Sequence, residues 1–347
     1  MTKCEMHKNV IRQNLKKSIF FVIKNAFFLL ILYFLISSVI KNHIFKEIWD
    51  GPKNYYLLSI GFLCYLISVF LSLLRWHILV HSLNISIPFW KTLRIGIVSL
   101  FVSMLPVGAL IGGDISKAWM LSRNHIGKGA ESLASIIVDR FIGLFSMFTY
   151  VSIIAFVSDF HSSALGWAKY LCWGTTITSI LFACIFCIFL YCPDFLYDKL
   201  LNILGRIFYI GSFLQRLAKA VRFYKTKPFL LIAAFFIGFF IQTLLATMLH
   251  FAGCGLFENT QNYIKNLTII PISIGTVYIP IPIGPMEVVL DWFYTHTAHA
   301  NGTFGKAGVG IIIAIVFRFY IMCVAFLGFF YYLFCPNDIS TSKLREK

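Results

Sequence analysis

The sequence is poor in charged residues, because Asp, Glu, Lys and Arg together make up 13% of its 347 residues. Soluble domains contain about 25% charged residues. This scarcity excludes a conventional soluble domain. The hydrophobic content of 59% and the mean hydropathy of +0.81 indicate a polytopic membrane protein instead.

The sequence also lacks the motifs of common hydrolases and nucleotide-binding enzymes. It contains no HExxH, GxSxG or P-loop pattern. The 41–54 loop has Glu47 and Asp50 but no paired acids of the Asp-x-Asp kind, so a polyprenyl-dependent glycosyltransferase is not indicated. We therefore expect no enzymatic activity and no cofactor.

Metal and redox sites are not indicated either. The nine cysteines are odd in number, and the CxxC of Cys184 and Cys187 lies within an apolar run without a second pair. Cysteine in such surroundings is a small hydrophobic residue. His77 and His81 have helical spacing, but no carboxylate accompanies them, so we predict no metal site there.

The net charge of +16 comes from basic residues in the connections between apolar runs. This distribution is typical of membrane topology and differs from the single basic face of a nucleic-acid-binding domain. We therefore expect no nucleic-acid partner. The same connections are suited to contact with anionic lipid headgroups.

Six apolar runs are long enough to cross a bilayer, which requires about 20 helical residues. Two further apolar segments are interrupted by Pro and Gly. The first run is too long for a signal-peptide core and lacks a small-residue cleavage site, so we expect it to remain as a span. The six runs lie at 18–40, 55–74, 130–157, 168–192, 229–252 and 307–334, and the interrupted segments lie at 92–121 and 266–298.

Lys and Arg are distributed unevenly among the connections. The positive-inside rule places the basic connections in the cytoplasm. The loops 158–167 and 253–264 contain no Lys or Arg and should face outwards, whereas the 41–54 loop mixes three Lys with two acids and is the weakest assignment. The connections expected in the cytoplasm are the N-terminus, 75–94, 117–128, 193–228 and the C-terminal tail 335–347.

These assignments hold together only if both interrupted segments are re-entrant. Residues 1–334 then form one all-α transmembrane domain of six spanning and two re-entrant elements, built from inverted halves at 18–157 and 168–334. Eight ordinary spans with Pro kinks remain the alternative, because transmembrane helices tolerate Pro and Gly. The basic connector 193–228 suits either an amphipathic helix on the inner leaflet or a plain connector.

Within the interrupted segments, the Pro- and Gly-rich stretches 104–114 and 279–287 each end on a carboxylate, Asp114 and Glu287 respectively. Each acid is followed by an Arg inside an apolar helix, Arg140 and Arg318 respectively. A buried acid at a broken helix, once in each half of a membrane chain, is a sequence sign of a transport site. The residues expected to break the helices are Pro106, Gly112, Gly113, Pro280, Pro282 and Gly284.

Two interpretations of these ionisable residues remain open. In the first, Arg140 and Arg318 bind an anion, because a guanidinium binds a phosphodiester through two hydrogen bonds and stays charged at any relevant pH. In the second, the charges form a structural salt-bridge network that fixes the packing. The other candidate site residues are Asp139 at the same depth, Lys117 as a marker of the cytoplasmic mouth, and Asp291, for which a place in the site and a place facing the outer water both stay open.

Three segments of the sequence resemble a known family. Residues 105–117 are similar to its LP…GGD..R motif, residues 134–144 to the S…DR..G helix that follows, and residues 280–287 to its second-half P…G.G..E turn. Arg318 matches a later helix Arg. The family is the lysylphosphatidylglycerol synthase transmembrane region, the flippase-like part of the multiple peptide resistance factor, and the resemblance covers about 15–335.

The sequence departs from the family pattern where Lys117 replaces the usual Arg and where Pro282 and Pro285 stand near the family's glycines. The resemblance implies an integral membrane protein that moves lipid, or lipid-linked material, between leaflets. Only the tail 335–347 follows the last span, so we expect no aminoacyl-transferring domain and no synthesis of aminoacyl lipid. The translocation-site residues that the resemblance implies are Asp114, Arg140, Glu287 and Arg318.

The leading hypothesis is a flippase-like protein of a prokaryotic plasma membrane, with both termini in the cytoplasm. Its expected partners are membrane lipids, namely an anionic phospholipid or a polyprenyl phosphate. One alternative is a non-transporting accessory subunit of a membrane glycosyltransferase or envelope lipid pathway, which would require a membrane-enzyme partner. A second alternative is a secondary transporter of a small anion.

Overall fold

The computed structural model describes residues 51–104, 109–158, 167–195, 211–276, 284–297 and 305–334, apart from positions 52, 126, 192, 194 and 259. The regular secondary structure of these residues is entirely helical. The α-helices are α1 (Tyr55–Ser82), α2 (Phe89–Met104), α3 (Ala109–Asn124), α4 (Gly129–Val157), α5 (Trp167–Tyr191), α6 (Gly211–Phe223), α7 (Pro228–Leu256), α8 (Tyr263–Gly275), α9 (Pro285–His296) and α10 (Val309–Phe334), with a 3₁₀ turn at Tyr224–Thr226.

The predicted fold class, an all-α polytopic membrane protein, is confirmed. Among the described residues, the helices α1, α4, α5, α7 and α10 are long and apolar enough to cross a membrane. The sixth predicted span, 18–40, lies outside the described residues. The four helices α2, α3, α8 and α9 are shorter, having 12 to 16 residues, and they correspond to the two interrupted segments.

Helix α1 extends further than the sequence suggested. The apolar run was expected to end at residue 74, with Arg75 in a cytoplasmic connection, but the helix continues to Ser82 and buries Arg75. Trp76, which stands at the predicted end of the span, is also buried, and its indole N–H donates to the Ser135 hydroxyl at 3.3 Å. This region is therefore part of the helical core.

The first interrupted segment folds as a helical hairpin. A Cβ placed on Gly113 of α3 would lie 2.9 Å from both the Ser99 carbonyl oxygen and the Ser103 Cβ of α2. Residues 99 and 113 would lie about 20 Å apart in a continuous helix, because each residue adds about 1.5 Å. The chain therefore reverses its direction between the two helices. Pro106 lies within 105–108, outside the described residues, whereas Gly113 allows the close approach.

The second interrupted segment folds in the same way. The Tyr294 hydroxyl of α9 donates to the Asn266 side-chain oxygen of α8 at 3.0 Å, and the Gln261 amide donates to the Thr297 carbonyl oxygen at 2.9 Å. These pairs lie symmetrically about the tip of the segment, as in an antiparallel helix pair. Pro280 and Pro282 lie outside the described residues. Gly284 begins the second helix with φ of 123°, a conformation that favours glycine.

The two halves of the chain pack reciprocally. The central helices α1 and α7 pack against each other along most of their lengths. The last helix of each half contacts the first hairpin helix of the other half, so that α4 packs on α8 and α10 packs on α2. One hydrophobic core surrounds each hairpin. This packing pattern is compatible with two repeated halves.

The described parts of the connections expected in the cytoplasm lie at one end of the bundle. The Lys227 ammonium donates to the Ser82 carbonyl oxygen at 3.1 Å, and the Lys128 ammonium donates to the Asn84 carbonyl oxygen at 2.6 Å. We call this end, formed by residues 82–84, 124–131 and 211–227, the basic end. At the opposite end the Asn54 N–H donates to the Gly255 carbonyl oxygen at 2.9 Å. The 41–54 loop therefore finishes beside a connection expected outside.

Cysteine labelling tests this topology. In a background without the nine native cysteines, Arg123→Cys at the end of α3 and Lys219→Cys in α6 should react with an impermeant maleimide only from the cytoplasm. Glu258→Cys should react only from outside. All three positions are exposed. Labelling of position 123 from outside would show that α2 and α3 together cross the membrane, and it would exclude the re-entrant arrangement.

Candidate functional site

The first ion pair lies just beyond the tip of the first hairpin. Asp114, in the second turn of α3, accepts two hydrogen bonds from Arg140 in the middle of α4. The Arg140 Nε–Asp114 Oδ2 and Nη2–Oδ1 distances are both 2.7 Å. Such a two-point pair fixes orientation as well as charge. The two side chains remain 34% and 20% exposed, so the pair is partly accessible.

The second ion pair lies at the tip of the second hairpin. Glu287, in the first turn of α9, accepts from Arg318 of α10 with an Nε–Oε1 distance of 3.0 Å. Its other oxygen, Oε2, accepts from the Gly284 N–H at 2.8 Å. Glu287 is 3% exposed and Arg318 26% exposed. The carboxylate therefore ties the hairpin tip to α10 while the guanidinium stays accessible.

The two pairs occupy equivalent places in the two halves. In each pair the acid comes from the beginning of the second hairpin helix, and the Arg comes from the middle of the long helix that follows. The structure thus pairs each of these four residues with a partner from its own half, Asp114 with Arg140 and Glu287 with Arg318. Because each hairpin reverses at its tip, a change at either pair can alter how that hairpin contacts its long helix.

A third ion pair was missed by the sequence reasoning. Arg75 of α1 donates to Asp139 of α4 with an Nε–Oδ1 distance of 2.8 Å, and the side chains are 9% and 11% exposed. Asp139 is thus the partner of Arg75, although its neighbour in the sequence is Arg140. The sequence does contain a sign that Arg75 lies within a helix. An apolar helical pattern continues past it in Leu73, Trp76, Leu79, Val80 and Leu83.

Small residues make room for the Arg75 guanidinium. A Cβ placed on Gly143 of α4 would lie 3.2 Å from Arg75 Nη2, and one placed on Gly238 of α7 would lie 3.3 Å from Nη1. Larger residues at either position would displace the guanidinium from Asp139. The Arg75–Asp139 pair therefore links α1, α4 and α7 in the centre of the bundle.

Lys117 lies beside the first pair, one turn after Asp114 on α3. Its ammonium lies 5.3 Å from the centre of the Trp76 ring and interacts electrostatically with Arg75, Asp114, Asp139 and Arg140. It makes no ion pair or hydrogen bond with another residue in the described part of the chain. The Lys117 side chain thus lies among these four charged residues, and its amine faces the Trp76 ring, an arrangement that favours a cation.

Asp291 has a different environment from the other candidates. Its Oδ1 accepts from the backbone N–H of Gly308 at 2.7 Å and of Gly310 at 3.1 Å, at the beginning of α10. Gly310 also packs directly on the backbone of Leu290 and Asp291. A carboxylate at a helix N-terminus satisfies free N–H groups there. Asp291 therefore joins the middle of α9 to the beginning of α10.

Within the described residues no group of three His, Cys, Asp or Glu side chains is arranged to hold a metal ion. His77 hydrogen-bonds Thr92 with an Nδ1–Oγ1 distance of 2.9 Å and stacks on His81. Cys184 and Cys187 are both exposed and free on α5. The ion pairs are thus the main polar feature that the fold brings together at depth.

The family described as the lysylphosphatidylglycerol synthase TM region matches residues 21–332. The chain belongs to this family. The match spans both hairpins, all three ion pairs and the 18–40 run except its first residues, and it confirms the resemblance drawn from the sequence. No curated protein and no solved structure matches the chain. The family is defined as a membrane region, so it supports a lipid-related membrane function without naming a substrate.

Proposed function

We propose that this protein is a lipid flippase or facilitator that moves an anionic headgroup between the leaflets of a prokaryotic plasma membrane. The observation that carries the proposal is the repetition of one acid–Arg pair at equivalent places in the two halves. In an inverted repeat such sites face opposite leaflets, which is the arrangement that alternating exposure of a central path uses. We also propose that both termini lie in the cytoplasm.

The charges of the first pair's surroundings favour an anionic substrate. Arg75 and Arg140 are paired with Asp139 and Asp114, and Lys117 is a further basic group beside them, so the cluster has one unbalanced positive charge when Lys117 is protonated. Ionisable groups at membrane depth normally pair, because an unbalanced charge is costly there. A phosphodiester or phosphomonoester of a lipid would supply the missing negative charge.

The exchange of partners gives a mechanism for release. Asp114 and Glu287 hold the Arg side chains while no headgroup is present. A phosphate oxygen competes for the same N–H donors, because guanidinium binds carboxylate and phosphate in the same two-point geometry. The carboxylate then displaces the headgroup again on the far side. The acyl chains stay in the bilayer during this movement, and only the polar group crosses between the hairpins and the long helices.

The substrate class is an anionic phospholipid or a polyprenyl phosphate, and the protein acts without enzymatic chemistry. Purified protein in liposomes should move a fluorescent lipid of this class between leaflets faster than protein-free vesicles do. Neutralisation by Asp114→Asn or Glu287→Gln should slow the movement by about tenfold or more, since each removes a charge-assisted hydrogen bond. The matched control is Glu258→Gln, which removes an exposed acid far from the pairs.

The same assay separates this proposal from the alternatives. An accessory subunit would move none of the tested lipids, although loss of the protein would still change the envelope lipids of the cell. A secondary transporter of a small anion would discharge an anion gradient and leave lipids in place. Either result would contradict the flippase proposal.

A further inference from the structure

The basic end of the bundle contains a second polar site, away from the three ion pairs. A cavity of about 280 Å³ lies between the turn after α1, the beginning of α4 and helix α6. Arg216 and Lys219 of α6 line one side, Glu131 of α4 lines another, and Asn84 and Phe223 complete it. Two basic groups and a carboxylate thus face one cavity.

These charged groups do not neutralise one another. Glu131 forms no ion pair with Arg216 or Lys219 in the part of the chain that the structure describes. Its Oε2 atom is buried and accepts no hydrogen bond from the described residues. A buried acceptor without a donor destabilises the fold, and more so if it is charged. The cavity therefore has one unsatisfied acceptor and two available cations.

Neighbouring lysines are already engaged. Lys128 and Lys227 donate to the carbonyl oxygens of Asn84 and Ser82, where they close the C-terminal end of α1. Arg216 and Lys219 are exposed and are the basic groups that line the cavity. A ligand that fits must therefore present an anion to α6 and a positively charged donor to Glu131.

An apolar cavity of about 210 Å³ lies further along α4 than the polar one. It is lined by hydrophobic side chains of four helices, including Ile137, Phe186, Val221 and Leu231. Val221 follows the Ala220 that lines the polar cavity, and Ile137 lies six residues after Glu131 on α4. At 1.5 Å per helical residue the two cavities are about 9 Å apart along α4.

The exposed face of α6 carries both aromatic and basic residues. Phe213 and Phe223 are exposed beside Arg216 and Lys219, while the opposite face packs on α4. This composition is typical of a helix that lies in the headgroup region of a membrane. The site is thus placed where a lipid of the adjacent leaflet can reach it.

From these observations we infer that the basic end binds a zwitterionic phospholipid with an amine headgroup. The phosphate contacts Arg216 and Lys219, the ammonium group donates to Glu131, and one acyl chain enters the apolar cavity. The bound lipid would fasten α6 to α4 beside the first hairpin. This inference does not rest on the proposed transport, because the site contains none of the paired residues.

Lipid-dependent melting of the purified full-length protein tests the inference. Dioctanoyl phosphatidylethanolamine should raise the melting temperature, and dioctanoyl phosphatidylglycerol, which has no amine, should bind more weakly. Glu131→Gln should weaken binding of the ethanolamine lipid by at least about tenfold, since one charge-assisted hydrogen bond is lost, and should leave the glycerol lipid unchanged. Arg216→Gln and Lys219→Gln should weaken both lipids.

Matched variants separate these effects from general charge effects. Glu258→Gln and Lys169→Gln remove exposed charges elsewhere and should leave both affinities unchanged. Equal binding of the two lipids by wild type, or an ethanolamine affinity that Glu131→Gln does not alter, would overturn the inference. So would unchanged binding in the exposed variants Arg216→Gln and Lys219→Gln, which are not expected to affect folding.

The apolar cavity allows a test of whether the ligand is a phospholipid or a soluble compound with the same headgroup. Soluble phosphoethanolamine should bind much more weakly than the dioctanoyl lipid, because it lacks the chains. Ile137→Trp, at a half-exposed position, should fill the apolar cavity and weaken binding of the lipid without changing that of phosphoethanolamine. Binding of phosphoethanolamine as tight as that of the lipid would show that the site takes a free phosphate compound and would overturn the lipid assignment.

Discussion

Arg75→Met is expected to lower the free energy of unfolding by about 3–5 kcal/mol, because it leaves Asp139 buried without its partner. Both side chains of this pair are about nine-tenths buried, and the Nε–Oδ1 distance is 2.8 Å. Equilibrium unfolding in mixed detergent micelles measures the change. The variant should also accumulate poorly in membranes, since a loss of this size is a large part of a typical protein's total stability.

A double variant distinguishes loss of the pair from loss of packing. Arg75→Met combined with Asp139→Leu removes both charges, and apolar side chains of similar size often replace a buried ion pair without loss of stability. We therefore expect the double variant to be clearly more stable than Arg75→Met. Arg123→Met is the matched control, because it removes an exposed Arg that stacks on Trp119 at the basic end. Wild-type stability of Arg75→Met would show that the pair does not hold the bundle together.

The overall architecture was predictable because the bilayer simplifies the sequence signal. Long apolar runs indicate spans, and breakers between them indicate interruptions. The hairpins at 92–121 and 266–298 were predicted from loop charges, and their helices do reverse at the tips. Their position relative to the membrane stays a prediction. The 18–40 span lies outside the described residues.

The partners of individual charges were harder to predict. Sequence reasoning selected Asp114, Arg140, Glu287 and Arg318 by their depth, but it could not choose among pairings, because these depend on the rotation of each helix. Asp139 illustrates this limit. It is adjacent to Arg140, yet residues i and i+1 point to different sides of a helix, and Asp139 faces α1.

The location of Arg75 was predicted wrongly for a different reason, and the partners of Asp291 were not predicted. Arg75 stands at the end of an apolar run, where a charged residue usually marks the membrane surface, but α1 continues for another seven residues. Asp291 shares a helix face with Glu287, but its side chain reaches the backbone N–H groups of Gly308 and Gly310. Such tertiary capping leaves no local pattern in the sequence.

Arg140→Lys should slow lipid movement by about 10–100-fold while leaving the melting temperature near that of the wild type. Lysine keeps the charge that balances Asp114, so the pair is not left with a buried, unpaired acid. It loses the planar fork that makes two hydrogen bonds of 2.7 Å with Asp114 and would make the same two with a phosphate. The loss of one charge-assisted hydrogen bond corresponds to about this factor.

The equivalent residue in the other half, Arg318, provides a second test of the same idea. Arg318→Lys should also slow movement, because both halves handle the headgroup in turn, whereas Arg123→Lys at the basic end should not. For each variant, the rate of lipid movement is measured in both directions across the liposome membrane, and the melting temperature is measured on the same protein. Wild-type rates in both Arg140→Lys and Arg318→Lys would assign these pairs to the scaffold. A slow but well-folded protein in either case would instead show that the guanidinium fork serves the movement of lipid and not the stability of the fold.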